Sequence, residues 1–402
     1  MSSKFNISDR VKNLEESETL AMSKKSNELR SRGIDVINLS LGEPDFATPQ
    51  PIKDAAKKAI DQNFSYYSPV SGFLDLREKI VSKLKTENNL EFKTDQIVVS
   101  TGAKQSLANL MSVLLNPQDE VIIPAPFWVS YKEMVEFTGG KAVIIKAGIE
   151  QDFKITPDQL EHAITKKTKA FLLANPSNPT GSVYTPSELK ELVSVLKKYP
   201  SVVVISDEIY EYIIFDAQYC SIGEFAEIKN QVVIVNGLSK SFAMTGWRLG
   251  YIAAPREIAL ACEKVQGQST SGASSISQKA AIEAFQMGRN HSAVQEMVHA
   301  YKSRRDILRR ELSKVPGFIL HNPQGAFYLF PEIKKLFGLK YNENVIGNSK
   351  DLVMYLLDQA NVALTAGMAF GAPECIRFSY AIKEERLIEA ANRIKAAVEK
   401  LI

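Results

Sequence analysis

The stretch VVIVNGLSKSFAMTGWRLGYIAA, Val232 to Ala254, decides how the chain is read. Val232–Val235 is an unbroken β-branched run and Tyr251–Ala254 is a second apolar run, so two strand-like segments bracket a loop of small residues. Lys240 stands in that loop, and Arg248 follows eight positions later. A lysine so placed suits a Schiff base with an aldehyde, and the arginine suits that aldehyde's phosphate. Pyridoxal 5'-phosphate (PLP) is anchored in this way. For an isolated Lys–Arg pair the alternative is a surface loop with two solvated cations, so the rest of the chain has to decide.

Outward from this stretch, short apolar strands alternate with helical patterns between about residues 50 and 300. The expected strands are Ile97–Ser100, Glu120–Pro124, Lys141–Lys146, Ala170–Ala174, Val202–Ser206, Val232–Val235 and Leu249–Ala254. Several lack apolar/polar alternation, as strands covered on both faces do. Helical segments, Lys104–Leu115 and Pro186–Lys198 among them, separate most of them. That order predicts an α/β fold: a doubly wound, mostly parallel sheet with helices on both faces and ligands at the strands' carboxyl ends. Before it, residues 10–32 read as a charged amphipathic helix ending at Gly33, then a strand over Ile34–Leu41 and a turn at Gly42-Glu43-Pro44-Asp45. After it, a charged helix (Tyr301–Lys314), short strands (Ala326–Phe330, Val362–Thr365, Cys375–Ser379) and a closing helix (Lys383–Leu401) read as a smaller α+β domain. The expected division is an N-terminal segment, residues 1–48, joining the small domain; a large domain, 49–299; and a small C-terminal domain, 300–402.

Composition narrows the function classes. Among 402 residues, 49 basic side chains face 46 acidic ones, a net charge of +3. That is too balanced for a nucleic-acid binder or a polybasic membrane anchor. The 3 cysteines, Cys220, Cys262 and Cys375, are far apart and odd in number, so no disulfide framework or zinc spacing is expected, and a cytoplasmic location is the default. The 4 histidines are scattered and predict no metal site. No apolar run has the length of a bilayer span, and no secretory h-region opens the chain.

Other strand ends carry chemistry that fits PLP. Asp207 closes Val202-Val203-Val204-Ile205-Ser206-Asp207, where a carboxylate suits a pyridinium nitrogen or, equally, a helix N-cap. Tyr210, three residues on, is within reach of the ring's phenolic oxygen. Asn178, in Asn178-Pro179-Thr180-Gly181, is either a donor to the same oxygen or part of a plain turn. Ser100-Thr101-Gly102-Ala103-Lys104 opens a helix with small residues, as phosphate-binding turns do. Trp128 is one of 2 tryptophans, suited to stacking on the ring or to core packing. Arg377, among apolar neighbours in Ile376-Arg377-Phe378-Ser379, calls for a carboxylate, from a substrate or from an internal salt bridge.

Taken in order, Gly42-Glu43-Pro44-Asp45, Asn178-Pro179-Thr180-Gly181, Ser206-Asp207-Glu208-Ile209-Tyr210 and Lys240–Gly250 resemble the class I aminotransferases of fold type I PLP enzymes, over nearly the whole chain. The resemblance implies that Lys240 is the Schiff-base lysine and proton shuttle. It implies that Asp207 partners the pyridinium, Asn178 and Tyr210 bind the phenolic oxygen, and Trp128 stacks on the ring. Gly102, Ala103 and Arg248 would hold the phosphate. Arg377 would take the substrate α-carboxylate, helped by Asn178, Trp128 and Gly42. Tyr67, in Tyr66-Tyr67-Ser68-Pro69, looks like the family's tyrosine that reaches the phosphate of the other subunit, which implies a homodimer. Where the family often has a serine three residues before the lysine, this chain has Gly237.

Ala125-Pro126-Phe127-Trp128-Val129-Ser130-Tyr131, Met244–Arg248 and Gly325-Ala326-Phe327-Tyr328 are closest to the prokaryote-type aspartate aminotransferase branch. In that branch a lysine at the position of Lys104 binds a substrate's distal carboxylate, and a threonine near Thr19 assists. The alternative for Lys104 is a first-turn lysine facing water. The expected reaction moves the amino group of L-aspartate to 2-oxoglutarate by a ping-pong route. Prephenate, aromatic amino acids, alanine or kynurenine are alternative substrates. A C–S β-lyase, an aminocyclopropane-carboxylate-forming lyase and a non-catalytic regulator are the alternative classes; no DNA-binding module is expected before residue 40.

Overall fold

The structure, a computed structural model, describes residue 5, residues 7–12, residue 14 and residues 18–402, the side chains of residues 19 and 20 excepted. The helix expected over 10–32 appears as α1 (Asp9–Lys12) and α2 (Glu18–Ser31). Residue 13 and residues 15–17, between them, lie outside the described residues. Strand β1 is shorter than expected, Ile37–Asn38, and pairs in parallel with Val362–Ala363. Helices α3 (Gln50–Asp61) and α4 (Leu74–Asn88) then lead into the main sheet.

That sheet has seven strands. They are β2 (Ile97–Ser100), β3 (Glu120–Ala125), β4 (Lys141–Lys146), β5 (Thr168–Ala174), β6 (Val203–Asp207), β7 (Val232–Gly237) and β8 (Gly250–Ala253). The spatial order is β2-β8-β7-β6-β5-β3-β4. All pairs are parallel except those of β8, which runs antiparallel to both β2 and β7. The physical reason is the link: β7 reaches β8 through the loop Leu238–Leu249, which contains no α-helix. A parallel return usually runs through an α-helix.

Successive residues of each strand feed opposite cores. Val99, Ile122, Phe171, Val204 and Ile234 pack with α4 and with helices Pro186–Leu196 and Ser275–Met287. Val98, Val121, Leu172, Ile205 and Val233 pack with α5 (Ala103–Leu114), α6 (Ser130–Phe137) and helix Arg256–Ser269. The apolar runs are therefore continuous because both faces of the sheet are covered.

A further core joins Met22, Val36, Ile37 and Leu39 to residues between Met297 and Leu401. Here the sequence expectations need correction. The long helix begins at Ser292, where His291 Nδ1 accepts from Ala293 N–H at 3.2 Å, and it runs to Leu312 through residue 300. The run Val362–Thr365 divides: Val362–Ala363 pairs with β1, and Thr365–Ala366 pairs with Ile376–Ser379. Ile376–Ser379 also pairs with Tyr328–Leu329, all that is strand within Ala326–Phe330. The closing helix spans Glu384–Val398.

His321 gives this region a pH dependence. It is buried, and its Nε2–H donates to Thr180 C=O at 2.5 Å. Burial pulls its pKa from 6.5 down to about 4. The stability held by the neutral ring is fully present above pH 6.5 and is lost as pH falls through 4. From pH 7 to pH 4, the wild type should lose about 3 kcal/mol more than His321→Gln in urea unfolding. Parallel losses in the two proteins would count against this.

Candidate active site

Strand register brings the functional segments together. Ser100 pairs with Gly250, Gly250 with Gly237, Asp207 with Val235, and Ala174 with Asp207. The segments carrying Gly102, Lys240, Asp207 and Asn178 therefore leave neighbouring strands at one end of the sheet, where open α/β sheets bind ligands.

A cavity of about 370 Å³ lies there. Its wall includes Gly42, Ala103, Lys104, Trp128, Asn178, Asp207, Tyr210, Lys240, Arg248 and Arg377. Gly102 lies directly behind Arg248: a β-carbon on it would stand 2.5 Å from Arg248 Nη2. Tyr67 is not in the wall; it is 98% exposed on the surface of the chain. Thr19 belongs to α2, and its side chain lies outside the described residues.

Lys240 is half-buried, and its Nζ donates to Gly42 C=O at 2.5 Å. Burial pulls its pKa from 10.5 down to about 8; Arg377 and Arg248 act the same way, while Glu43 and Asp207 oppose them. About a tenth of this amine is therefore neutral at pH 7, several hundred times the fraction at the ordinary value, as a nucleophile or base requires.

Asp207 caps no helix, since β6 is followed by turns. It is 5% exposed and accepts from Tyr131 O–H at 2.7 Å and from Ile209 N–H at 3.2 Å. Burial pushes its carboxyl pKa up. Tyr210 and Tyr328 share a hydroxyl–hydroxyl bond of 2.7 Å. Away from the cavity, Glu211 accepts from Lys83, from Asn88 at 2.7 Å and from Asn236 at 2.6 Å. That buried carboxylate ties the turn after β6 to the end of β7.

Arg377 is 2% exposed, yet its bonds go to neutral groups: Nη1 donates to Asn178 Oδ1 at 2.9 Å and Nη2 to Ser40 C=O at 2.6 Å. Its Nε has no hydrogen-bond partner among the described residues. The expected alternative of an internal salt bridge does not describe these contacts. A buried guanidinium bonded only to neutral oxygens, with a donor left over, suits an incoming carboxylate.

The opposite wall is built for an anion. Helix α5 opens at Ala103 with no side-chain cap, so its first N–H groups are free of that competition. Gly102 has φ +81°, and a β-carbon on Gly250 would collide with Ala103 N. Arg248 sits beside them with φ +55°, a left-handed conformation unusual for a side-chain-bearing residue, and donates to Thr245 C=O at 2.9 Å. Position 237 is closed to a side chain: a β-carbon would stand 2.8 Å from Leu249 O. Glycine there fits the close approach of β8. Lys104 is solvent-exposed overall, but its Nζ lies 5.0 Å from the centroid of the half-buried Trp128 ring. Partial desolvation and Arg248 lower its pKa.

The sequence reading assigned no role to Tyr131 or Tyr328. Both fall in stretches that carry the resemblance, but only the fold reveals what their hydroxyls touch. A tyrosine in an apolar run signals that its hydroxyl needs a partner without saying which.

The family model for aminotransferase class I and II matches residues 34–394. The chain is 44% identical to a bifunctional aspartate aminotransferase and glutamate/aspartate-prephenate aminotransferase of Petunia hybrida, over 98% of this chain and 83% of that protein. It is 44% identical to a probable aspartate/prephenate aminotransferase of Rickettsia bellii, over 98% and 99% of the two chains. Among solved structures, the aspartate aminotransferase of Rhizobium meliloti superposes with a TM-score of 0.95 at 38% identity, covering 99% of this chain and 100% of that one. The Thermus thermophilus aspartate aminotransferase with maleate gives 0.92 at 36%, covering 98% and 100%. The chain belongs to the class I and II aminotransferase family.

Proposed function

We propose that the protein is a PLP-dependent aminotransferase that transfers the amino group of L-aspartate to 2-oxoglutarate. The observation that carries this is the convergence of Lys240, Asp207, Arg248 and Arg377 on one cavity. The residues fit the cofactor. Lys240 offers an amine with a lowered pKa, and Asp207 offers carboxylate lone pairs beyond the two it uses. Arg248, with Gly102, Ala103 and the backbone of Lys104 at the opening of α5, would form an anion cradle for the phosphate. Asn178 keeps its amide donors, which would serve the phenolic oxygen with Tyr210 alongside, and Trp128 would stack on the ring.

Bound PLP supplies an electron sink for the bond broken at the substrate's α-carbon. Lys240 would hold the cofactor through its amine, and as a free amine it would move a proton at its Nζ. Asp207 stabilises a proton on the ring nitrogen. Arg377 orients the α-carboxylate, with Asn178, Trp128 and Gly42 around it. Lys104 takes the distal carboxylate. The Thermus thermophilus relative was solved with maleate, a dicarboxylate, which supports a dicarboxylic substrate. Lys104→Met should lower kcat/KM for aspartate about 10- to 100-fold and leave that for alanine nearly unchanged. Equal losses for both substrates would refute the assignment.

The first test is the absorbance spectrum of the PLP-loaded protein before and after L-aspartate, with no keto acid added. Loss of the visible band with release of oxaloacetate supports the proposal. A band indifferent to aspartate but responsive to phenylalanine, alanine or cystathionine overturns the substrate. A second reading, prephenate as acceptor, draws support from the names of the Petunia and Rickettsia relatives.

The proposal includes a homodimer in which Tyr67 serves the partner's phosphate site; its 98% exposure on the isolated chain supports this. It includes cytoplasmic residence, supported by three free cysteines. It also keeps the division at residues 48 and 299, supported by the core that Met22–Leu39 shares with the C-terminal residues.

A further inference from the structure

The chemistry above leaves the buried phenol of Tyr131 without a role. Tyr131 lies in the first turn of α6, 3% exposed, where core packing alone would be served as well by phenylalanine. Its hydroxyl instead donates to Asp207 Oδ2 at 2.7 Å. Its ring stands edge-on to Trp128, with centroids 5.4 Å apart and planes at 84°. One side chain thus touches both the carboxylate at the end of β6 and the tryptophan in the cavity wall.

Electrostatics give the bond a purpose. Asp207 is buried, and burial favours its neutral form. Of the influences that oppose this, the bond from Tyr131 is the largest, ahead of Ile209 N–H and the charge of Lys240. The phenol itself cannot ionise near neutral pH, because burial and Asp207 push its own pKa far up. It is therefore a donor at every working pH. The bonds from Tyr131 and Ile209 go to different oxygens, which fixes the carboxylate plane and leaves lone pairs for a further donor.

We propose that Tyr131 is a positioning residue that keeps Asp207 ionised and oriented, so that Asp207 can hold a protonated ring nitrogen. The inference rests on the PLP reading. It differs from a packing role because Tyr131 acts through the charge of one named residue.

The test is a double-mutant cycle on Tyr131→Phe and Asp207→Asn. The first readout is PLP affinity of the apoprotein, measured by fluorescence quenching. The second is kcat and KM for aspartate in the loaded enzyme. Asparagine keeps the shape of Asp207 but not the charge that Tyr131 supports. Tyr131→Phe alone should weaken PLP binding about 10- to 100-fold and lower kcat at least 10-fold, with KM for aspartate within about threefold. In the Asp207→Asn background the same substitution should cost no more than about twofold in either readout. Melting temperatures would show whether each variant is folded. Equal losses in both backgrounds would mean that Tyr131 only packs, and would overturn the inference while leaving the function standing. A wild-type apoprotein that takes up no PLP would overturn the function and this inference together.

Discussion

Lys240→Ala should lower kcat about 10⁴-fold or more and abolish the visible band of the PLP-loaded protein, while the melting temperature of the apoprotein stays close to wild type. Among the described residues no other lysine is placed to take over. Lys104, the other lysine in the cavity wall, approaches the Trp128 ring, whereas Lys240 Nζ is fixed against Gly42 C=O and acted on by the charge of Asp207. Lys240→Arg should be as inactive as the alanine variant, because a guanidinium stays charged and cannot act as nucleophile or base. The amine's pKa adds a dependence on pH. It is lowered from 10.5 to about 8, so its neutral fraction grows as pH rises through 8. The rate of PLP uptake by the apoprotein should therefore climb between pH 7 and 9 and then level off. A rate flat across that range, or substantial turnover in Lys240→Ala, would remove Lys240 from its role.

Arg377→Met should lower kcat/KM for every amino acid substrate about 10²- to 10³-fold, through KM above all, and leave PLP affinity within a few-fold of wild type. A lost contact between a buried charge and its counter-charge costs about 2–5 kcal/mol, which is the source of this range. Methionine suits the site because Arg377 stacks between Tyr328 and Phe370, 4.7 and 4.8 Å from their centroids, so an apolar chain fills the slot. The substitution also frees Asn178 Oδ1 and Ser40 C=O, so a modest loss of stability accompanies it. The diagnostic result is the uniform loss. Lys104→Met discriminates among substrates by their distal group, whereas Arg377→Met should not, because every α-amino acid presents the same carboxylate. An Arg377→Met enzyme with normal KM for aspartate would show that the guanidinium serves only to join Ser40 to Asn178.

Much of this site was legible because its residues follow strands. Asp207, Lys240 and Asn178 stand at or just past the ends of β-branched or apolar runs, and a polar residue at a strand's carboxyl end is one that burial alone does not explain. Most strands of the main sheet were legible because runs buried on both faces cannot be mistaken for exposed loops; the half-buried edge strand β4 was legible from its apolar run at residues 142–145. The later segments were less so. Leu364 and its neighbours read as one strand because their apolar character is continuous, but Val362–Ala363 and Thr365–Ala366 pair in different sheets. Burial is recorded in composition, and the identity of the pairing partner is not. The start of the helix at Ser292 was hidden because its cap is the unusual His291 side chain.

By itself, then, the amino-acid sequence determined which segments are buried, that they alternate as in an α/β sheet, and which nucleophile, carboxylate and guanidinium stand at the strand ends. These are local properties, set by side-chain type and period. Only the tertiary structure decided that β8 runs antiparallel, because the Lys240 loop carries no crossover helix. Only it decided that Tyr131 donates to Asp207, that Tyr328 bonds to Tyr210, and that Arg377 is buried against neutral oxygens. Those contacts join residues 76, 118, 199 and 337 positions apart. Hydrogen-bond geometry is fixed to tenths of an ångström by the packing of whole elements, and no local pattern in the chain records it.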